Sequence, residues 1–313
     1  MDKPQYQKKP IAHIDSLAKL LSVDTNKLVN LADQADSFYY LSERIEKPDG
    51  SFRDVYGVRD ELKILQQQIV NKIYSNVRFP NYLYGSIKGT NHIMDAYVHA
   101  HAQLLVKMDI SNFFPTLTSK NIFNIWKRFF NFSEPVAKIL TKLTTFNNFL
   151  PQGAPTSPGL ANLAFWDIES AIVDRLQRNG FTYTRFVDDV TVSSKSRTEM
   201  HKLNTIFKSV FGMFRSKGVK ANRKKTNIST SGYRMAVHNL NINSGTPTIS
   251  TKKRSQIRSA VRGCEKSYQD QKQSEDYKKL WESAIGRVNY LSQFHPTQAQ
   301  ALHKRLQAVL PVS

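Results

Sequence analysis

Two stretches decide how this chain reads: Val106-Lys107-Met108-Asp109-Ile110-Ser111-Asn112-Phe113-Phe114-Pro115 and, further on, Phe186-Val187-Asp188-Asp189. Each sets acid at the end of an apolar run that predicts a buried strand. Burying such a charge without partners costs several kcal/mol, so structural filler is a poor account of either acid. Adjacent aspartates on a regular strand point to opposite faces, but at a hairpin turn both can approach one site. If the Asp109 strand lies beside that hairpin, three carboxylates converge. Hard oxygen ligands of this kind select Mg²⁺, with Mn²⁺ as a substitute. Two such ions about 4 Å apart would serve both the attacking and the leaving oxygen of an in-line phosphoryl displacement. Either segment alone reads as a surface Asp at a turn; the weight lies in the pair.

Working outward, residues 13–36 predict two short helices with stripes at Ile14, Leu17, Leu20 and Leu21, then Leu28, Leu31, Ala32 and Ala35. Tyr39–Glu46 and Ser51–Val58 predict a hairpin around Pro48-Asp49-Gly50, followed by a helix through Leu62, Leu65 and Ile69. Thr118 or Ser119 caps one further helix and Ser133-Glu134-Pro135 opens another. Ser157-Pro158 predicts a long helix running to Leu176, stopped by Asn179-Gly180. Phe181–Phe186 and Val190–Ser194 alternate as strands; Lys225–Thr230 and Met235–Ile242 are strand-like; the chain from Thr251 onward is helical and basic. Strands mixed with helices without strict alternation predict an α+β domain with a mostly antiparallel sheet.

Among 313 residues, 45 Lys and Arg face 25 Asp and Glu, a net charge of +20. That excess favours polyanions, because each neutralised phosphate releases counterions. The charge is uneven: Arg215 to Lys225 carries no acid, and Lys252, Lys253, Arg254, Arg258 and Arg262 line one side of a helix. Nucleic acid is therefore the expected partner. One cysteine, Cys264, excludes an intrachain disulfide framework and multi-cysteine zinc modules. The first ten residues lack an apolar signal region and no stretch reaches membrane-spanning length, so a cytoplasmic protein without a membrane partner is expected.

A third segment lies between the two acidic ones: Leu150-Pro151-Gln152-Gly153-Ala154-Pro155-Thr156-Ser157-Pro158-Gly159-Leu160-Ala161-Asn162-Leu163. It resembles the QGxPxSPxLxN motif of reverse transcriptases, and Phe186-Val187-Asp188-Asp189 resembles their YxDD box. With Arg53–Gln66, Gly218–Thr226 and Tyr233–Ile242, the resemblance covers roughly residues 45–245 in the family's order. The wording is most similar to bacterial retron reverse transcriptases.

That resemblance implies a right-hand polymerase: an N-terminal helical extension (1–42), fingers (43–105), a palm with an antiparallel sheet (106–245, including a finger-contacting loop at 147–158) and a basic helical thumb (246–313). It implies metal binding by Asp109, Asp188, Asp189 and the Ile110 carbonyl, with the three aspartates catalytic. Phe114 would stack under the incoming sugar and exclude a 2′-hydroxyl; Gln152 would lie beside the nucleotide; Arg53 and Lys47 would hold its triphosphate. Lys224 or Lys225 matches the basic residue of the next motif. Two retron elements depart from the usual pattern: Asp95-Ala96-Tyr97-Val98-His99 begins with Asp in place of Asn, and Val237-His238-Asn239 lacks the Thr and Gly of a VTG element. Asp95, His99, His238 and Asn239, with Lys252, Lys253, Arg254 and Arg258, form the expected RNA-contacting set, while Asp95 and His99 also read as an i, i+4 structural pair.

The implied function is RNA-directed DNA synthesis on a cognate structured non-coding RNA, yielding branched RNA-linked DNA in an anti-phage system with a separate effector. Another prokaryotic reverse transcriptase, of abortive-infection or intron-derived kind, shares the chemistry; a vestigial RNA-binding scaffold is a third reading. The residues outside the resemblance leave no room for a ribonuclease H domain, so template removal is expected to need another enzyme.

Overall fold

The computed structural model describes residues 2–47, 49–196 and 200–312; Pro48, the first residue of the expected hairpin turn, lies outside them. In chain order, β1 (Gln5–Tyr6) precedes α1 (Ile14–Leu20) and α2 (Thr25–Asp33), the latter capped by the Asp24 carboxylate accepting from the Lys27 amide. β2 (Tyr39–Glu46) and β3 (Phe52–Val58) pair antiparallel with an irregularity between Leu41 and Glu43, as the alternation predicts. There follow α3 (Asp60–Lys72), β4 (Val77–Arg78), α4 (His92–Val98), β5 (Leu104–Ser111), α5 (Phe113–Thr116) and α6 (Ser119–Asn124). Thr118 and Asn121 close a reciprocal capping box at the start of α6. Next come α7 (Glu134–Thr144), α8 (Ser157–Asn162), α9 (Glu169–Arg178), β6 (Thr182–Phe186), β7 (Asp189–Ser194), α10 (Met200–Ser216) and β8 (Lys220–Thr230). The chain ends with β9 (Ala236–Val237), β10 (Leu240–Asn241), α11 (Thr251–Gln271), α12 (Glu275–Ser292) and α13 (Pro296–Gln307).

These elements form two units, one from residues up to Asp95 with Leu104–Ile228, the other from Ala96–Gln103 with the residues from Ser229 onward. The first unit is built on a four-stranded sheet ordered β6-β7-β5-β8, in which β7 runs antiparallel to both β6 and β5. β5 is buried along most of its length, in keeping with its near-continuous apolar reading, whereas β7 alternates Val with Thr and Ser in sequence yet is buried from Val190 to Ser194. Behind them, Trp126, Phe130 and Phe132 stack with Tyr74 in an aromatic cluster, ring centroids 4.8–6.3 Å apart.

In the second unit α11, α12 and α13 pack around Ile257, Val261, Cys264, Tyr277, Val288 and Leu302. Arg305 closes a bidentate pair on Glu265 with both hydrogen bonds at 2.7 Å, and the Trp281 indole donates to the Leu306 carbonyl at 3.0 Å. Cys264 is buried there as packing. No described helix is long and apolar enough to cross a membrane.

Two sequence expectations give way. The long helix from Ser157 breaks after Asn162 and resumes at Glu169, because the Asn162 carbonyl accepts a hydrogen bond from Arg185 and its side-chain amide donates to the Gly85 carbonyl. Met235–Ile242 is not one strand but the tight β9–β10 hairpin, with Val237 opposite Leu240 and His238-Asn239 at the turn. Both turn residues have positive φ, 49° and 65°, as a type I′ turn requires.

Candidate active site

The acids meet at the end of the central strands. Asp109 on β5 stands directly opposite Asp189 on β7, and Phe186 on β6 opposite the same Asp189. Val187 and Asp188 therefore form the tip of the β6–β7 turn, and the Ile110 amide donates to the Asp188 carbonyl at 3.1 Å. Val187 adopts φ +57°, a left-handed conformation unfavourable for a β-branched residue. Asp109 is buried at 7% exposure, Asp188 is half-buried and Asp189 is exposed. Burial first, and the nearby charges of Asp189 and Asp109 after it, push the Asp188 carboxyl up to about 6, against the pull of Arg53. Neighbouring carboxylates of this kind are the donor type a hard divalent cation takes. Among the described residues no three His, Cys, Asp or Glu side chains already converge as a ligand set. Asp109 instead accepts from the Lys225 ammonium at 3.1 Å. The donor chemistry fits a divalent metal, with Asp109, Asp188, Asp189 and the Ile110 carbonyl as the residues that would hold it.

The surrounding residues come from four segments of the same unit. Asn112, at φ +46°, turns the chain from β5 into α5, and its side-chain oxygen accepts from Lys47 Nζ at 3.1 Å. Phe113 is buried, stacked on Phe165 at 5.8 Å, which leaves Phe114 half-exposed beside it. Arg53, on β3 opposite Ile45, is exposed and close enough to lower the Asp188 carboxyl. The loop carrying Gln152 docks on β3, where the Tyr56 amide donates to the Gln152 carbonyl at 2.7 Å. Gly153 makes that approach possible: at φ +111°, a Cβ there would lie 2.5 Å from the Tyr56 carbonyl.

Beneath the acidic turn lies a buried charged cluster that none of the sequence motifs marks. Arg185 is fully buried and Glu169 is 2% exposed. The guanidinium donates from Nε and Nη2 to the two Glu169 oxygens at 2.6 and 2.8 Å, while Tyr183 donates to the same carboxylate at 2.7 Å. The signal is present in Thr182-Tyr183-Thr184-Arg185-Phe186, where a cation interrupts a strand otherwise built for burial.

The remaining candidates are spread along the chain. Lys224 is exposed on β8 next to Lys225, and it is Lys225 that reaches Asp109. Asp95 and His99 are buried at 1% and 0%. In the second unit, His238 and Asn239 line one cleft with Arg234, Lys253, Arg287 and Tyr290. Lys252, Lys253 and Arg258 are exposed on α11, while Arg254 is half-buried and donates to Thr251.

Strand-end acids, a basic neighbour and a glycine-dependent loop on a mixed α and β scaffold are compatible with a nucleotidyl-transferring polymerase. Residues 45–282 match the family model described as reverse transcriptase (RNA-dependent DNA polymerase), and the chain belongs to that family. It is 30% identical to the retron Se72 reverse transcriptase of Salmonella heidelberg, over the whole of this chain and 83% of that protein. It is 29% identical to the retron Ec48 reverse transcriptase of Escherichia coli over 97% of this chain and 77% of the relative. With the retron Ec86 reverse transcriptase of the same species the identity is 31%, covering 80% and 76%.

Proposed function

We propose that this chain copies a cognate structured non-coding RNA into single-stranded DNA that stays joined to the RNA through a branch, as part of an anti-phage system with a separate effector. The observation that carries the catalytic reading is the register placing Asp109 opposite Asp189, with Asp188 at the turn between β6 and β7. The matches to several retron enzymes along most of the chain support the retron assignment.

In this reading α1 and α2 form an N-terminal helical extension, β2–β3 and the elements around it act as fingers, the four-stranded sheet as palm and α11–α13 as thumb, with limits at 1–42, 43–105, 106–245 and 246–313 in that order. Two Mg²⁺ ions, when bound, supply activation of the attacking hydroxyl and neutralisation of phosphate charge. The chain's own residues prepare everything else. Arg53 and Lys47 bring cations to the triphosphate, where charge develops during transfer. Phe114 offers its half-exposed ring to the sugar and leaves no room for a 2′-hydroxyl. Gln152 is held on the hairpin by its backbone bond to Tyr56, which fixes the loop from which its side chain serves the nucleotide. Priming from an internal guanosine 2′-hydroxyl of the RNA produces the branch. The cations of α11 grip phosphates and His238 and Asn239 meet RNA shape from the cleft, whereas Asp95 and His99, buried at 1% and 0%, act on RNA only through the backbone they hold.

Primer extension on poly(rA)/oligo(dT) with Mg²⁺ tests the polymerase. Isolation of nucleic acid from cells carrying the gene, with and without debranching, tests the retron product. Extension without any branched species would leave a reverse transcriptase of another prokaryotic kind.

A further inference from the structure

The Arg185–Glu169 pair does more than fill the interior. We infer that Arg185 is a positioning residue, fixed by Glu169 and Asn162, that holds the Val187 turn in the conformation presenting Asp188 and Asp189. The inference rests on the reading of those acids as metal ligands.

Arg185 sits on β6 two residues before the strained turn position. Its Nη1 donates to the Val187 carbonyl at 3.0 Å. The rest of the guanidinium is already committed: Nε and Nη2 to Glu169, Nη2 also to the Asn162 carbonyl at 2.8 Å, and its face to the Phe165 ring at 5.3 Å. With Nε and Nη2 committed, the plane of the fork is fixed, and Nη1 is held where one of its two N–H groups meets the turn. The turn is also packed closely against the backbone at Gly85. A Cβ on Gly85 would lie 2.6 Å from Val187 Cγ2 and 2.8 Å from the Val187 amide nitrogen. Gly85 is itself held, because its carbonyl accepts from the Asn162 amide at 2.7 Å. The adjoining backbone is bonded too, from Arg185 N to the Tyr82 carbonyl at 2.8 Å and from Tyr84 N to the Arg185 carbonyl at 3.0 Å.

Val187 at φ +57° persists only because its surroundings over-determine it. Asn162 thus ends α8, fixes Gly85 and anchors Arg185. A buried ion pair retained merely for packing could be replaced by apolar side chains of similar volume without loss. A pair that aims a hydrogen bond at the acidic turn could not.

The test uses the purified full chain, Mn²⁺ binding followed by electron paramagnetic resonance, and primer extension in parallel. The variant Glu169→Leu/Arg185→Met/Tyr183→Phe removes both charges and the Tyr183 hydroxyl together and so leaves none of the three stranded. It should melt within about 5 °C of the wild type yet bind Mn²⁺ roughly tenfold more weakly. Its kcat should fall by a similar factor while KM for dNTP moves less than about twofold. Adding Val187→Gly should recover most of the Mn²⁺ affinity, since glycine adopts positive φ without the clamp. Arg185→Lys guards against misfolding: it keeps the ion pair but cannot serve Glu169, Asn162 and Val187 at once, so it should weaken Mn²⁺ in the same direction. Folded variants with wild-type Mn²⁺ affinity and kcat would overturn the positioning role while leaving the polymerase reading intact. A wild-type chain that neither binds Mn²⁺ nor extends a primer would instead overturn the assignment of the acids, and the clamp with it.

Discussion

Lys225 places its ammonium 3.1 Å from the Asp109 carboxylate, so the most buried of the three acids already holds a cation of the protein's own. The lysine is largely exposed, which limits the strength of the pair to about 0–1 kcal/mol. Its effect on a competing cation is still direct, since it both occupies an Asp109 oxygen and repels positive charge. Lys225→Ala should therefore tighten Mn²⁺ binding about two- to fivefold, measured by paramagnetic resonance titration. Lys224→Ala, from the neighbouring exposed position, should leave that affinity unchanged.

Asp188 gives a prediction whose sign depends on pH. Its carboxyl is raised to about 6 in the fold, against about 3.9 in an unfolded chain. Between those values the folded protein keeps a proton that the unfolded chain has released, so the group favours folding most below about pH 4 and loses that contribution as pH rises toward 6. At pH 7 the full shift corresponds to roughly 3 kcal/mol of cost, reduced to about 1–2 kcal/mol by the residue's partial exposure. Without metal, Asp188→Asn should raise the stability measured by urea unfolding by that amount at pH 7 and by almost nothing at pH 4. The same variant should lose DNA synthesis by roughly 10³-fold or more. A stabilised but inactive protein is the combined outcome expected of a metal ligand.

Phe114→Val is the test of sugar discrimination. Phe113 is buried against Phe165, so Phe114 is the ring of the pair with an exposed face. The valine should lower the dNTP-over-rNTP ratio in kcat/KM by roughly 10- to 100-fold, with little change in melting temperature. An unaltered ratio would reduce Phe114 to packing beside its neighbour.

Gly153→Ala should disturb the Gln152 loop without touching an acid. Its φ of +111° and the 2.5 Å approach to the Tyr56 carbonyl mean that the methyl group must push the loop off β3. The expected cost is about 1–3 kcal/mol of local strain, read as a raised KM for dNTP with a smaller change in kcat. Gly180→Ala is the control for fold stability alone, because a Cβ at Gly180 meets nothing within 4 Å despite its φ of +79°, and it lies outside the hairpin that carries Lys47 and Arg53.

What was legible in the sequence, and what was not, follows the range of the interactions involved. Asp109, Asp188 and Asp189 stood out because acids ending apolar runs are rare without a reason, and the structure brings their strands into register. The β2–β3 hairpin and α3 followed from local alternation and periodicity. The break between α8 and α9 was hidden, because the apolar stripe continues through Leu163 and Ile168 and the interruption comes from Arg185, distant in sequence. The choice between Lys224 and Lys225 depends on the side of β8 that faces Asp109, which no local pattern specifies. The β9–β10 turn lacked the Asn-Gly or Asp-Gly signature of a two-residue hairpin, so two short strands read as one.

That turn also sharpens the last prediction, on the choice of RNA. His238 and Asn239 both occupy positive φ at the tip of the hairpin, where alanine is strained. A His238-Asn239→Ala-Ala change would therefore damage the hairpin as well as remove the side chains, and should depress every reaction of the protein together. His238-Asn239→Asn-Gly separates the two effects, because that pair is the preferred occupant of a type I′ turn and keeps Val237 opposite Leu240. It removes the imidazole and moves the carboxamide from position 239 to position 238 in the cleft that Arg234, Lys253, Arg287 and Tyr290 also line. Initiation on the cognate RNA should then fall by roughly 5- to 100-fold, as expected when one or two hydrogen bonds to charged or polar RNA groups are removed. Extension of a generic pre-annealed primer at the same ionic strength should change by less than about twofold. Lys252→Ala or Arg258→Ala gives the opposite pattern: both reactions weaken alike, and the dependence of log affinity on log salt flattens by about 0.7–0.9 for each phosphate no longer neutralised. If the Asn-Gly variant melts normally and affects both reactions equally, the hairpin tip contributes charge and shape in common with the rest of the unit, and its side chains do not discriminate among RNAs.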